Sequence, residues 1–212
     1  DPGTLTNAFQ GLLAMAFAST LTEILPDGTV GPSLAESWDS KDGKTWRFQL
    51  RKGVTFHDGR PLTADDVVAS IDHHRRDDST SFIKPVASQV TEVKTDGDSA
   101  IVITLKTANA DLPAILNTEA FTVYPRKGDR IDWASRIGTG GYIVKEYQPG
   151  IRAYLERNPN YFRDDRAFAS EAELLCIQDS SARMNALLSG EVQAIDEVDL
   201  KTVDLLTSQG NI

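Results

Sequence analysis

GPSLAESWDSKDGKTWRFQLRKGVTFHDGRPLTADDVVASI, residues 31–71, is the stretch on which the fold turns. In its middle, Trp46, Phe48 and Leu50 share one face while Arg47, Gln49 and Arg51 share the other, the period-two pattern of a sheet with one wet side. Asp42-Gly43 supplies a turn before that strand. After it, Val54 and Phe56 alternate with polar neighbours as a half-buried strand does, and Asp58-Gly59 turns the chain again. A helix then opens. Thr63 is placed to cap it, Asp66 stands where a capping-box carboxylate reaches back, and Leu62 and Val67 have hydrophobic-staple spacing. Asp65 and Asp66 put negative charge against the exposed N–H groups of the first turn. Val67, Val68 and Ile71 recur at helical spacing over residues 64–76, and the polar run HHRRDDSTS reads as the following loop. The stretch is architectural rather than catalytic.

Outward from it, LLAMAFASTL (Leu12 to Leu21) reads as a buried helix, followed by a PDGT turn at 26–29. Downstream, QVTEVKT and SAIVITLK form a hairpin about DGD, with Ile101, Ile103 and Leu105 inward. A short helix is expected from Leu112 to Asn117, with Pro113 tolerated in its first turn, and FTVYP has strand character. GTGGYIVKEYQPGIRAYLERN reads as a second hairpin about Pro149-Gly150. Asp179 or Ser180 caps a helix through Leu188, stopped at Gly190; VQAID is a brief strand, and Asp199 opens a last helix. Strands and helices mix without strict alternation, so the expected class is α/β or mixed α+β with a mixed sheet.

The composition, 40% hydrophobic and 25% charged, is that of a globular chain. With 31 acidic against 22 basic residues and a net charge of -9, affinity for nucleic acid or anionic lipid is not expected. No apolar run approaches a membrane span. Cys176 is the only cysteine, which excludes an intramolecular disulfide, and its apolar neighbours mark it as a buried small residue. A chain that starts at DPGTL without Met reads as a mature or trimmed product.

His57-Asp58 is read as a strand-end histidine beside a turn aspartate rather than a catalytic pair, because no nucleophile elbow accompanies it. Adjacent His73 and His74 point about 100° apart on a helix and suit one metal poorly. GTGG lacks the lysine and helix of a phosphate loop, so its glycines are assigned to a tight hairpin entry. Trp46 is assigned to the core by its periodicity; Trp133 lies in a polar stretch, where facing the cleft is the minor alternative. No metal site and no cofactor are expected.

The order of these motifs carries a family resemblance. Residues 31–71, then VTEVKTDGDSAIVITLK, IGTGGYIVKEYQPG, LERNPNYF and ARMNALLSGEVQAID, together resemble the family 5 extracellular solute-binding proteins, the peptide, nickel and oligosaccharide receptors of ABC importers. The likeness covers nearly all of residues 24–198. It implies a lobe of the periplasmic binding protein type II kind, with residues 31–125 as a family-specific subdomain and residues 1–30 with 126–212 as part of the lobe core. The second lobe is absent from this chain, which reads as a fragment. By the same resemblance the protein is a non-enzymatic monomer, periplasmic or anchored on the outer membrane face. It takes a peptide, oligosaccharide or metal chelate and passes it to an inner-membrane permease. Two departures stand out: Ala18-Ser19 occupies the place of the family's aromatic-acidic pair, and Gly141 replaces a proline, a change expected to alter only backbone stiffness. Ser19 and Thr20, from the position of that pair, and Phe82, Thr118 and Glu119, from loops bordering the cleft, are the candidate ligand contacts. A hydrolase of peptides or glycosides and a sensory or interaction module are the rival readings.

Overall fold

The computed structural model describes residues 1–198 and residue 203. Helix α1 (Ala8–Phe17) is capped by Asn7, whose side chain accepts from the Gln10 N–H. Strands β1 (Thr22–Ile24) and β2 (Val30–Pro32) form a small hairpin across the 26–29 turn. Strands β3 (Ala35–Asp39) and β4 (Thr45–Leu50) follow, then α2 (Ala64–Arg75), the short α3 (Lys84–Ala87), and the hairpin β5 (Val90–Thr95) and β6 (Ala100–Leu105). After α4 (Leu112–Ile115) come a small ladder, β7 (Arg126–Lys127) and β8 (Arg130–Ile131), and a meander of β9 (Tyr142–Gln148), β10 (Arg152–Arg157) and β11 (Glu171–Leu175). Helix α5 (Ser180–Leu188) is capped by Asp179, and Gly190 beyond it has φ +76°, the left-handed stop that glycine adopts readily.

Two sheets carry the architecture. In the four-stranded one, ordered β3-β4-β6-β5, Phe48 lies opposite Trp38 on one side and Ile101 on the other. Its inner face and helix α2 enclose a core of Phe48, Leu50, Val67, Ile71, Ile101, Ile103 and Leu105. The outer face is polar: Arg47 pairs with Asp96 at 2.7 Å, and the Gln49 amide donates to the Ser99 carbonyl. The three-stranded sheet, ordered β11-β10-β9, joins α1 in a second core built on Phe9, Leu13, Phe17, Tyr124, Ile131 and Leu155. Among the described residues every strand pairing is antiparallel.

The capping box forms as its spacing requires. The Thr63 N–H donates to Asp66 Oδ2 at 2.9 Å, and the Asp66 N–H reaches back to the Thr63 hydroxyl at 3.4 Å. The other carboxylate oxygen of Asp66 accepts from the Arg126 N–H at 2.7 Å, so one side chain starts α2 and fastens β7 to it.

Several expectations are corrected. Helix α1 ends at Phe17 instead of running to Leu21, because the Phe17 carbonyl is taken by the Gly140 N–H and the chain turns extended at Ala18. Leu12 and Met15 on this helix are exposed rather than buried. Val54 and Phe56 are buried, but their segment makes only one bridge, Thr55 to Pro61, since proline offers no N–H to continue a ladder. Helix α2 fills the expected 64–76 range up to Arg75, so the first three residues of HHRRDDSTS are helix and not loop, with His74 buried against Phe121. FTVYP is not a strand; Val123 makes a single bond to the Ser19 carbonyl. VQAID is not one either: the N–H groups of Glu191 and Val192 fold back onto the Ala186 carbonyl. Strands β3 and β11 were not anticipated, and Cys176 is half-buried beside the second core. The helix expected from Asp199 lies outside the described residues.

Candidate functional site

The two cores meet along a seam formed by the extended segment that leaves α1. Four of its carbonyls are engaged: Phe17 accepts from Gly140, Ser19 from Val123, Thr20 from Leu34, and Leu21 from Ala35. Gly138 and Gly140 lie flat against it. A Cβ on Gly140 would stand 2.5 Å from the Phe17 carbonyl carbon and 2.6 Å from the Ala16 oxygen, closer than any real contact. The GTGG glycines therefore admit a backbone approach at this point, correcting the expectation that they supply positive φ for a hairpin entry. Thr139 between them is fully buried.

His57 fastens this segment to the first core. Its N–H donates to the Gly138 carbonyl at 2.9 Å, its Nε2 meets the Gly140 carbonyl at 3.0 Å, and its Nδ1 accepts from the Gly138 N–H at 3.4 Å. These roles fit one neutral tautomer, with the proton on Nε2. Burial lowers the pKa of His57 and favours that neutral form, against the opposing effects of the Gly140 carbonyl and Asp58. The Asn158 side-chain amide donates to the same Gly140 carbonyl at 3.0 Å.

From Asn158 the chain crosses the seam in a strap. Tyr161 and Phe162 meet edge to face at 4.8 Å, and Arg51 of the first core lies 5.6 Å over the Phe162 ring. Burial raises the pKa of the Tyr161 phenol, against the opposing effect of Arg163. Arg163, mostly buried, pairs with Glu23 of β1 at 2.7 Å and grips Asp165 through two parallel bonds of 2.9 Å. That fork holds the Asp165 pKa at about 2, and its reciprocal attraction raises the Arg163 pKa. Arg166 closes the cluster at 3.0 Å from Asp165.

Gly141 completes the strap. A Cβ there would meet the Ala167 Cβ at 2.6 Å and the Tyr161 ring at 3.3 Å. Its lack of a side chain thus provides space for the strap as well as backbone freedom, correcting the expectation that the change from proline alters stiffness alone.

The five candidate contacts fall in different settings. Ser19 is buried in the seam with its carbonyl bound to Val123. Thr20 is also buried, and its hydroxyl donates to the Thr22 carbonyl at 2.6 Å. The Thr118 hydroxyl donates to the Ile115 carbonyl, while Glu119 opens the turn that leads into the Ser19 pairing and lies beside Gly11. Phe82 is 50% exposed, on a loop fixed by its N–H to the Gly3 carbonyl. The structure thus joins Ser19, Thr20 and the approach from Glu119 along the seam, and places Phe82 beside the N-terminal turn, which itself packs against the Glu119 turn. Trp133 is exposed on the flank of the second core. Tyr161, Arg163 and Asn158 were not singled out from the sequence, although LERNPNYF drew attention to their neighbourhood.

Comparison with known proteins follows the same outline. The sequence model described as bacterial extracellular solute-binding proteins, family 5 Middle, matches residues 29–212. The periplasmic oligopeptide-binding protein of Escherichia coli is 28% identical over 191 residues, a match covering 78% of this chain and 35% of that protein. An HTH-type transcriptional regulator of Salmonella typhimurium is 28% identical over 197 residues, covering 91% of this chain and 34% of the regulator. Among solved structures, the Haemophilus influenzae OppA complex with RPPGFSPFR superposes with a TM-score of 0.86 at 20% identity, covering all of this chain and 46% of that one. The chain spans about a third of the length of the curated relatives it matches.

Proposed function

The chain belongs to the bacterial extracellular solute-binding proteins of family 5, and from that premise we propose that it forms most of the first lobe of a receptor for an ABC importer. The whole protein captures a small solute, a peptide in the first instance, and delivers it to a membrane permease. The carrying observation is the family match across residues 29–212. The name of the oligopeptide-binding relative supports the choice of peptide, and the relative's periplasmic location supports the same side of the membrane for this protein. The role is capture and release, not turnover.

In this reading residues 31–125 are a sub-lobe, and residues 1–30 with 126–212 belong to the lobe core; the presence of two apolar cores supports a division of this kind, although Leu21 joins the first core and Tyr124 the second. Ligand energy acts by favouring a closed arrangement of two lobes, and only to the extent that closure adds contacts. Ser19, Thr20, Phe82, Thr118 and Glu119 are the proposed contacts of the first lobe. A second reading, a solute-sensing module of a regulator, is favoured by the match to the Salmonella regulator over 91% of this chain.

Calorimetry on the full-length protein and on the 212-residue chain, against di-, tri- and oligopeptides, tests the proposal. The full-length protein is expected to bind one peptide class tightly, and the chain weakly or not at all, since half a clamshell loses contact area yet still bears the cost of immobilising ligand. Tight binding by the chain alone overturns the two-lobe account. Failure of the full-length protein to bind any peptide overturns the solute class.

A further inference from the structure

On the flank of the second core, away from the strap, lies a hollow of about 150 Å³. Leu13 and Phe17 of α1, Tyr124, Trp133, Arg136 and Tyr147 line it. A cavity of roughly that volume in other proteins admits a single benzene ring, which sets the scale of an occupant. Four of the twelve residues that line it are aromatic, the N-terminal segment from Asp1 to Leu5 supplies part of the rest, and Trp133 remains 40% exposed at the opening.

Arg136 gives the hollow its charge. It is one of few non-glycine residues with positive φ, here +54°, a conformation that a long side chain adopts rarely. There its guanidinium sits 4.9 Å over the Tyr147 ring, and among the described residues no carboxylate pairs with it. Asp1 is the one carboxylate in the lining, and its Oδ1 is engaged by the Gly3 N–H at 2.7 Å and by His73 at 2.9 Å. A cation with an unused planar fork, beside an aromatic slot sized for one ring, is complementary to a ring bearing a carboxylate.

We propose that this hollow is a binding site for a small arene carboxylate, its ring among Phe17, Tyr124 and Trp133 and its carboxylate on Arg136. The site borders the seam at Phe17 and does not depend on the transport reading. A neutral ring would stack without the charge-assisted pair, and an aliphatic carboxylate would pair without offset stacking.

Benzoate, benzyl alcohol and cyclohexanecarboxylate, titrated into the 212-residue chain, separate these terms. Trp38 and Trp46 pack against the other core, so a fluorescence response that Trp133→Phe abolishes reports this hollow. Benzoate is expected to bind with Kd on the order of a millimolar, and the other two about tenfold more weakly. Arg136→Gly suits the positive φ and removes the guanidinium together with its stem; it should weaken benzoate about tenfold and leave benzyl alcohol far less affected. Equal affinities for benzoate and benzyl alcohol, or benzoate binding indifferent to Arg136→Gly, overturns the proposal. So does an amide chemical-shift map that places benzoate elsewhere, or a titration that fails to saturate at tens of millimolar.

Discussion

Acid should destabilise this chain through one buried histidine, His74. The residue is 1% exposed, its ring bonded through Nδ1 to the Ser81 hydroxyl at 2.8 Å and set edge-on to Phe121 at 5.4 Å. Burial, then the neighbouring His73, lowers its pKa from 6.5 to about 4. The folded state therefore holds fewer protons than the unfolded chain once pH drops below 6.5, and the stability present above that value is lost as pH falls towards 4. At 1.36 kcal/mol per pKa unit, the loss reaches about 3 kcal/mol by pH 4. Urea denaturation of the wild type and of His74→Gln, from neutral pH to pH about 4, isolates this effect, since titrations shared by both proteins cancel in the difference. The advantage of wild type over variant should shrink by about 3 kcal/mol across that interval. Parallel stability curves would refute the reasoning, as would an NMR titration of His74 with a midpoint near the ordinary histidine value.

Three further perturbations bear on the fold. Thr63→Ala should lower stability by about 0.5 to 2 kcal/mol through loss of the cap, read as a shift in denaturation midpoint at constant slope. Phe48→Ala, at a position with no exposed surface, should cost about 3 to 5 kcal/mol in the same assay. Gly140→Ala forces a methyl into the Phe17 backbone and should cost at least about 1 to 3 kcal/mol; thermal unfolding unchanged by this methyl would mean that the seam is looser than its contacts indicate.

What the sequence made legible was local. The capping box at Thr63 and Asp66 and the alternation of Trp46, Phe48 and Leu50 depend on neighbours a few residues away, so spacing alone encodes them. The end of α1 does not: Phe17 leaves the helix because Gly140, far along the chain, claims its carbonyl. The role of GTGG was missed for the same reason, since glycine in a string cannot reveal whether it serves a turn or a close approach. β11 escaped notice because alternating Glu171, Ala172 and Glu173 look like loop until paired with β10. Of the proposed contacts, the hydroxyls of Thr20 and Thr118 are engaged by nearby carbonyls, a local outcome that residue type alone did not announce.

The pairing of Glu23 with Arg163 joins positions separated by 140 residues. The hairpins and α2, by contrast, close over short loops and can organise early, because the entropy lost on loop closure grows with loop length. The strap must wait until nearly the whole stretch has been made and both of its anchors exist. A weakened strap would then act mainly on the rate at which the native state opens, leaving the rate of its formation almost unchanged. The seam would set the lifetime of the folded lobe, while the sheets would set how quickly it appears.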